Sequence, residues 1–436
     1  MAPPGWSRWL VPPAALSIHL SIGAAYSWSV FKKPLEGSLH VSGTLSALPF
    51  TVGIVMLGLS AAVFGTWVDR NGPRAAMFVA MCCFCGGWLV GSAGLATHQY
   101  WLVLLGYGLL GGIGWGIGYI SPVSTLMKWF PDKPGMATGL AIMGFGGGAL
   151  IASPWSTAML GAFGIAKTFL VHGIVYAVFM SLGWLLVRVP RDDWKPHGWT
   201  PAPGSLVSVG QVSANNAIKT PQFWLLWVVL CFNVTAGIGI LEKASPIYQD
   251  FFPGGVAAGL AAAAAGYVAL LSLSNMLGRI GWSSLSDVIG RKNAYRLYLG
   301  VGALLYLTIT LMQNSNKVVF LIATMLILSF YGAGFATVPA YLRDLFGTYE
   351  VGAIHGRLLT AWSVAGILGP IIVNAIADSQ EAAGKSGPEL YTLSFSIMIA
   401  LLIVGLVCNE LIKPVNDKWH ESSAPAKRAE VLQETR

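Results

Sequence analysis

Twelve stretches of this chain stay apolar for long enough to cross a lipid bilayer, and nothing else in the sequence limits the possible folds so strongly. They cover approximately 9–31, 45–67, 75–96, 100–126, 136–161, 168–188, 223–246, 258–284, 294–313, 318–342, 355–377 and 391–413. A helix rises 1.5 Å per residue, so about twenty residues match a hydrocarbon core about 30 Å thick. Inside lipid the backbone must satisfy its own hydrogen bonds, which leaves helices as the spanning element for runs of this length. The expected fold class is an all-α membrane protein of twelve transmembrane helices, embedded in a lipid bilayer. Only 10 % of residues are charged, whereas a soluble chain carries about a quarter. The first apolar run is too long for the core of a cleaved signal peptide. The 53 glycines concentrate in spans 2, 4, 5 and 11 among Leu, Ile, Met and Trp, where small residues let helices approach closely.

The loops fix an orientation. Lys32, Lys33, Lys167, Lys243, Lys317 and Lys385 fall on one side and Arg279 falls inside a span; the other 19 of the 26 Lys and Arg residues fall on the opposite side. The basic side is cytoplasmic, so both termini are expected there, in a cell (inner) membrane. This bias explains the net charge of +8 without a nucleic-acid partner. The Pro- and Gly-containing segment 189–221 reads as a cytoplasmic linker between a six-helix bundle at 1–188 and a second at 222–413. The charged tail 414–436 reads as disordered.

The halves repeat each other. Asp69, Gly72 and Arg74 of GTWVDRNGPR return as Asp287, Gly290 and Lys292 of SSLSDVIGRK. Trp115-Gly116-x-Gly118 returns as Tyr331-Gly332-x-Gly334, Pro122 as Pro339, and Gly135 and Gly139 as Gly352 and Gly356. A near-constant offset of half the chain is the mark of duplicated helix bundles with a midplane site, a transporter architecture.

The chemistry concentrates in span 8. Ser272, Asn275, Arg279 and Ser283 lie at helical spacing on one stripe, with Trp282 beside it. An arginine at bilayer depth costs from a few to more than ten kcal/mol (roughly, by method) and marks a functional site unless it reaches an interface. Arg279 is therefore read as an anion anchor, with Asn275 one turn away to orient it. Tyr119, Tyr331 and Tyr26 carry hydroxyls that need partners when buried; these three, with Trp362, are candidate substrate contacts. His19 in span 1 is a candidate for proton handling, against a purely structural hydrogen bond. The proton can alternatively travel with the substrate carboxylate at Arg279, the route favoured here because nothing in the sequence places His19 beside Arg279. Cys82, Cys83, Cys85, Cys231 and Cys408 all lie in apolar runs, so neither a metal site nor a disulfide framework is expected. No cofactor is called for. With no acid–base dyad or nucleophile triad, the chain does not read as an enzyme.

The loop GTWVDRNGPR matches the G-x-x-x-D-R-x-G-x-R/K signature of the major facilitator superfamily, and span 8 ends in its degenerate copy. In that reading Asp69, Arg70, Gly72, Arg74, Asp287, Gly290, Arg291 and Lys292 form the gate motifs. GWSRWLV, AYSWSVF and MKWFPDKPGMATGLAIMGFGGG resemble the oxalate/formate antiporter group, close to bacterial and animal monocarboxylate transporters, over essentially all twelve spans. The resemblance implies transport of small carboxylates, with the family's substrate-anchoring cation falling on Arg279. Two departures bear on the substrate. Oxalate exchangers carry a Lys in span 11, where this chain has LLTAWSVAGILGP and Trp362. Animal monocarboxylate transporters carry an Asp four residues before the span-8 Arg, where this chain has Asn275, and a Lys in span 1, which here has no mid-span charge. The expected function is a monomeric secondary carrier of small monocarboxylates such as lactate or pyruvate, with proton symport by alternating access; the alternative is an oxalate/formate-type exchanger.

Overall fold

The computed structural model describes residues 2–3, 5–41, 43–191, 194–196, 198, 210–254 and 257–421. Among these, eight helices are long and apolar enough to cross a membrane, and a ninth arises when Arg8–Ser27 and Val30–Leu39, bent by 59°, are taken as one span. Two of the eight are double passes. Gly43–Ala96 has 54 residues and Pro134–Leu186 has 53, which is about 80 Å of helix and more than twice a hydrocarbon core. Each is broken at one glycine, Gly72 (φ 79°) and Gly164 (φ 72°), in backbone that glycine adopts without a Cβ penalty. With Ala257–Ile289, the described passes come to the twelve expected. The outer faces stay apolar: Val63 is 72 % and Leu311 73 % exposed, a surface suited to lipid and costly in water.

The chain forms two compact units. One comprises residues 1–220, 339–360 and 414–421 among the described residues, and the other 221–338 and 361–413. This follows the two sequence halves except at 339–360, the end of span 10 and the start of span 11. Close backbone contact explains the exception. A Cβ on Gly356 would lie 2.0 Å from the carbonyl oxygen of Ala61, so the start of span 11 lies directly on span 2.

The linker reading covers 189–221, of which 192, 193, 197 and 199–209 lie outside the described residues. Its later part is tied down. The Gln211 side-chain oxygen accepts from Thr348 N–H (2.9 Å) and Tyr349 N–H (2.8 Å), and the single-turn helix Ala214–Ala217 receives Glu350 Oε2 at the Ala214 N–H, 2.8 Å away. The tail begins in the same place: Glu421 N–H donates to Gln211 O at 2.7 Å. Residues 422–436 lie outside the described residues.

Candidate functional site

In the first unit, the motifs at the start of the chain and after span 4 meet. Arg8 of GWSRWLV pairs with Asp132 of KWFPDKPG through both nitrogens, at 2.7 and 3.1 Å, and its guanidinium lies 4.7 Å over the Phe130 ring. Spans 1 and 5 then run in backbone contact. A Cβ on Gly148 would meet Leu20 O at 2.6 Å, and one on Gly23 would meet Phe145 O at 2.4 Å. This approach buries His19 completely, with Nδ1 3.0 Å from Ala141 O and Nε2 3.2 Å from Tyr119 O. Tyr119 is fully buried. Tyr26 sits where span 1 turns through the 3-10 segment Ala24–Ser27. The two tyrosines pack edge-on against Phe145, at 5.6 and 5.1 Å between centroids. One residue escaped the sequence reading: His355, buried at the start of span 11 with its ring 5.8 Å from that of Tyr119. Its only signal is a position inside GAIHG, between the repeated glycines.

The loop after span 2 also belongs to this unit. Asp69 Oδ2 accepts from Ala353 N–H at 2.8 Å, in the first turn of the helix Val351–Leu358. A carboxylate there satisfies a free N–H and complements the helix dipole. Lys128 Nζ lies 3.6 Å from Asp69 Oδ1, a second partner not picked out in the sequence. Arg70 reaches Glu350 at 3.8 Å, and Arg74 lies 5.8 Å over the Trp184 ring.

In the second unit, spans 8 and 10 pack as closely. A Cβ on Gly332 would meet Asn275 O at 2.3 Å, Asn275 Oδ1 at 2.5 Å and Arg279 Cγ at 3.0 Å. Arg279 is fully buried and Asn275 is 5 % exposed. Arg279 Nε donates to Asn275 Oδ1 at 3.2 Å, and the guanidinium lies 5.5 Å over the Phe335 ring. Phe335 in turn packs on Trp362 (4.5 Å) and edge-on against Tyr331 (5.4 Å). The stripe read from the sequence thus faces the protein: Ser283 donates to Arg279 O, and Trp282 Nε1 donates to Ser329 Oγ at 2.9 Å. Phe335, which links Arg279 to Tyr331 and Trp362, was not singled out, since one more aromatic in an apolar span carries no signal of its own.

The degenerate loop after span 8 is wired within itself. Asp287 accepts from Arg291 Nη2 at 2.5 Å, and Arg291 also donates to Ser286 Oγ. Gly290 (φ 85°) makes the turn. Lys292 Nζ donates to Glu410 O at 2.7 Å and Ile412 O at 3.2 Å, capping carbonyls at the end of the last span.

The sequence profile described as the Major Facilitator Superfamily matches residues 14–370. Among curated proteins, the chain is 28 % identical over 376 residues to the oxalate:formate antiporter of Oxalobacter formigenes, covering 85 % of each. It is 24 % identical over 392 residues to apicoplast pyruvate carrier 1 of Toxoplasma gondii, covering 76 % of this chain and 69 % of that one. Among solved structures, that of FucP, a major facilitator superfamily transporter in the outward conformation, aligns with a TM-score of 0.71 at 14 % identity, covering 94 % of this chain and 99 % of that one. The twelve passes, the repeated loop signature and the profile match agree: the chain belongs to the major facilitator superfamily of membrane transporters.

Proposed function

We propose that this transporter carries small carboxylates, with Arg279 as the anchor for the carboxylate group. The observation that carries the reading is a permanent cation, fully buried in span 8 and held by Asn275 and Phe335, with no carboxylate in the span 258–284. A substrate anion paired with it in the loaded protein lowers the cost of a buried charge, so loading favours reorientation. Asn275, Tyr331 and Trp362, in the same unit as Arg279, are the further proposed contacts; Tyr26 and Tyr119 are substrate-contact candidates on the sequence reading alone. Relatives named for oxalate and formate exchange and for pyruvate carriage support the substrate class. The gate role of the Asp69 and Asp287 loops, their cytoplasmic side, the cytoplasmic termini, the inner membrane and the monomeric state belong to the same proposal.

Within that class, a monocarboxylate with a coupled proton is the reading preferred. Oxalate brings two negative charges, and a buried charge left uncompensated costs several kcal/mol. Trp362 stands near the place where the oxalate exchangers that the chain resembles carry a lysine, and it offers one N–H donor and no charge. Lactate or pyruvate should therefore be preferred over oxalate by at least about tenfold, equivalent to about 1.4 kcal/mol. The second reading, carboxylate exchange, is favoured by the 28 % identity to an antiporter. Uptake of labelled lactate into proteoliposomes, with and without a pH gradient and with lactate or oxalate as competitor, separates them. Oxalate competing as well as lactate would remove the single-cation argument and leave the exchanger. Trp362→Lys should move the competition ratio toward oxalate.

A further inference from the structure

Two histidines pack on Tyr119 in the first unit, with ring centroids 5.3 Å (His19) and 5.8 Å (His355) from its own, and their surroundings are opposite. Each nitrogen of His19 faces a backbone carbonyl oxygen, that of Ala141 and that of Tyr119. A carbonyl oxygen only accepts. A neutral imidazole has one N–H and one lone pair, so one of these contacts would set a lone pair against an oxygen; the imidazolium, with two N–H donors, satisfies both. His355 is equally buried, and among the described residues neither of its nitrogens has a hydrogen-bond partner. Nothing around it rewards a second donor, and burying one unmatched is costly.

We propose that His19 is a proton-binding site, an imidazolium clasped by the carbonyls of Ala141 and Tyr119, and that it carries the proton that moves with the substrate. The proton comes from water on one side and returns to water on the other; imidazole becomes imidazolium and back, and no bond of the substrate changes. Proton binding stands on the geometry alone, whereas its coupling to transport rests on the carboxylate-carrier reading above.

The site is built by the fold. Spans 1 and 5 lie in backbone contact at Gly23 and Gly148, which brings Ala141 O to one side of the ring, and span 4 supplies Tyr119 O on the other. The ionisable groups on the elements packed there are few. Residues 134–163 of span 5 contain none. Span 4 offers Tyr100, Tyr107, Tyr119 and Lys128, and Lys128 is engaged by Asp69. Span 6 offers Lys167, His172 and Tyr176, and His172 bonds to Ser156 and to Thr168 O. Span 1 itself adds Arg8, held by Asp132, and Tyr26. From span 11 comes His355, its ring beside that of Tyr119. A charge on His19 disfavours a second like charge on His355 across one tyrosine ring, so the cluster is expected to take a single proton.

The first measurement reads the ring itself. His19–Leu20 is the one His–Leu step among the seven histidines, so His labelled at its carbonyl carbon and ring nitrogens, paired with nitrogen-labelled Leu, assigns His19 and reports its ring in the wild-type protein by NMR in nanodiscs. We expect both ring nitrogens to carry hydrogen at mildly acidic pH. A neutral, single-tautomer His19 down to pH about 5.5, a unit below the ordinary histidine value, overturns the site whatever the substrate is. The second measurement is pH-driven accumulation of labelled lactate in proteoliposomes, where one pH unit can drive up to about tenfold concentration for a one-proton symport. His19→Gln should bring that ratio to about one, and a ratio that survives the substitution overturns the coupling. If His19→Gln does not reach the membrane, His19→Asn takes its place, and the NMR result on the wild-type protein still decides the site. Absence of any lactate flux in the wild-type protein, with an imidazolium seen by NMR, would instead count against the carboxylate reading.

Discussion

At matching places in the two halves, a glycine brings two helix backbones together, and what the contact presents differs completely. In the first half a Cβ on Gly116 would meet Leu57 O at 2.3 Å and Ser60 Oγ at 2.1 Å; Ser60 Oγ lies 3.3 Å from both Leu57 O of its own helix and Ile113 O of the facing one, and the contact holds no charge. In the second half the equivalent Gly332 lies against Asn275, with Arg279 alongside. The duplicated sequence therefore preserves the packing that makes a span 2–4 or 8–10 pair, while the side chains on that scaffold have diverged. The second half holds a fixed cation beside aromatic rings. The first half holds His19 between carbonyls, a group whose charge can change.

The sharpest way to break the contrast is to remove the cation. Arg279→Ala should cut labelled carboxylate uptake by about 100-fold or more, the scale of losing one partner of a buried charged contact, 3–5 kcal/mol. Arg279→Lys keeps the charge but loses the planar fork and should recover only a small part. Uptake near the wild-type level in a folded, membrane-inserted Arg279→Ala protein would end the role of Arg279 as anchor.

The glycines give the next test. Gly116→Ala and Gly332→Ala each force a Cβ against backbone, and overpacking costs about 1–3 kcal/mol, so both should lower the thermal midpoint of the purified protein to a similar degree. Transport should separate them. Gly332→Ala also displaces Asn275 and Arg279 and should reduce uptake by roughly tenfold beyond its stability cost, about 1.4 kcal/mol, whereas Gly116→Ala should reduce it only as far as folded protein is lost. Equal transport losses would mean that the close approach at Gly332 serves packing alone.

How much of this could be read in advance varies with the distance between partners in the chain. The stripe Ser272–Asn275–Arg279–Ser283 was legible because its residues share one helix, and helical spacing sets which of them meet. The twelve passes were legible because bilayer thickness fixes run length. The carbonyls around His19 were not, since they lie 122 and 100 residues away and become acceptors for the ring only once Gly23 and Gly148 let two helices touch. The sequence reading favoured carriage of the proton by the substrate for that reason, and the geometry turns the proposal toward His19. Asp69 shows the same limit. Its loop signature marks it in the sequence, but the Ala353 N–H it binds is 284 residues away, and Lys128 is a third element brought in by the fold. The contacts of 339–360 with spans 2 and 4 are of the same kind, since Gly356 and Ala61 lie far apart in the chain.

The two copies of the loop signature supply the smallest and most discriminating prediction. Asp69 holds something outside its own loop, the first turn of Val351–Leu358, and has Lys128 beside it. Asp287 is engaged by Arg291, four residues on in its own loop. Neutralising each with an isosteric amide tests whether the copies are equivalent. In Asp69→Asn the side-chain oxygen still accepts from Ala353, but the charge facing the helix N-terminus and Lys128 is lost. A carboxylate in a partly buried position at a helix N-terminus contributes up to about 2 kcal/mol, so the hold on span 11 should weaken roughly tenfold. In Asp287→Asn, Arg291 keeps Ser286 Oγ as an acceptor, and the ion pair lost lies within its own loop, so the hold on span 11 should change by no more than about twofold. The readout needs no substrate. With the five native cysteines replaced, Leu358→Cys places a buried thiol on the helix that Asp69 holds, and its rate of labelling reports release of that segment. Asp69→Asn should speed labelling several times more than Asp287→Asn. The reverse order would mean that the degenerate loop, not the intact one, sets how tightly this segment is held.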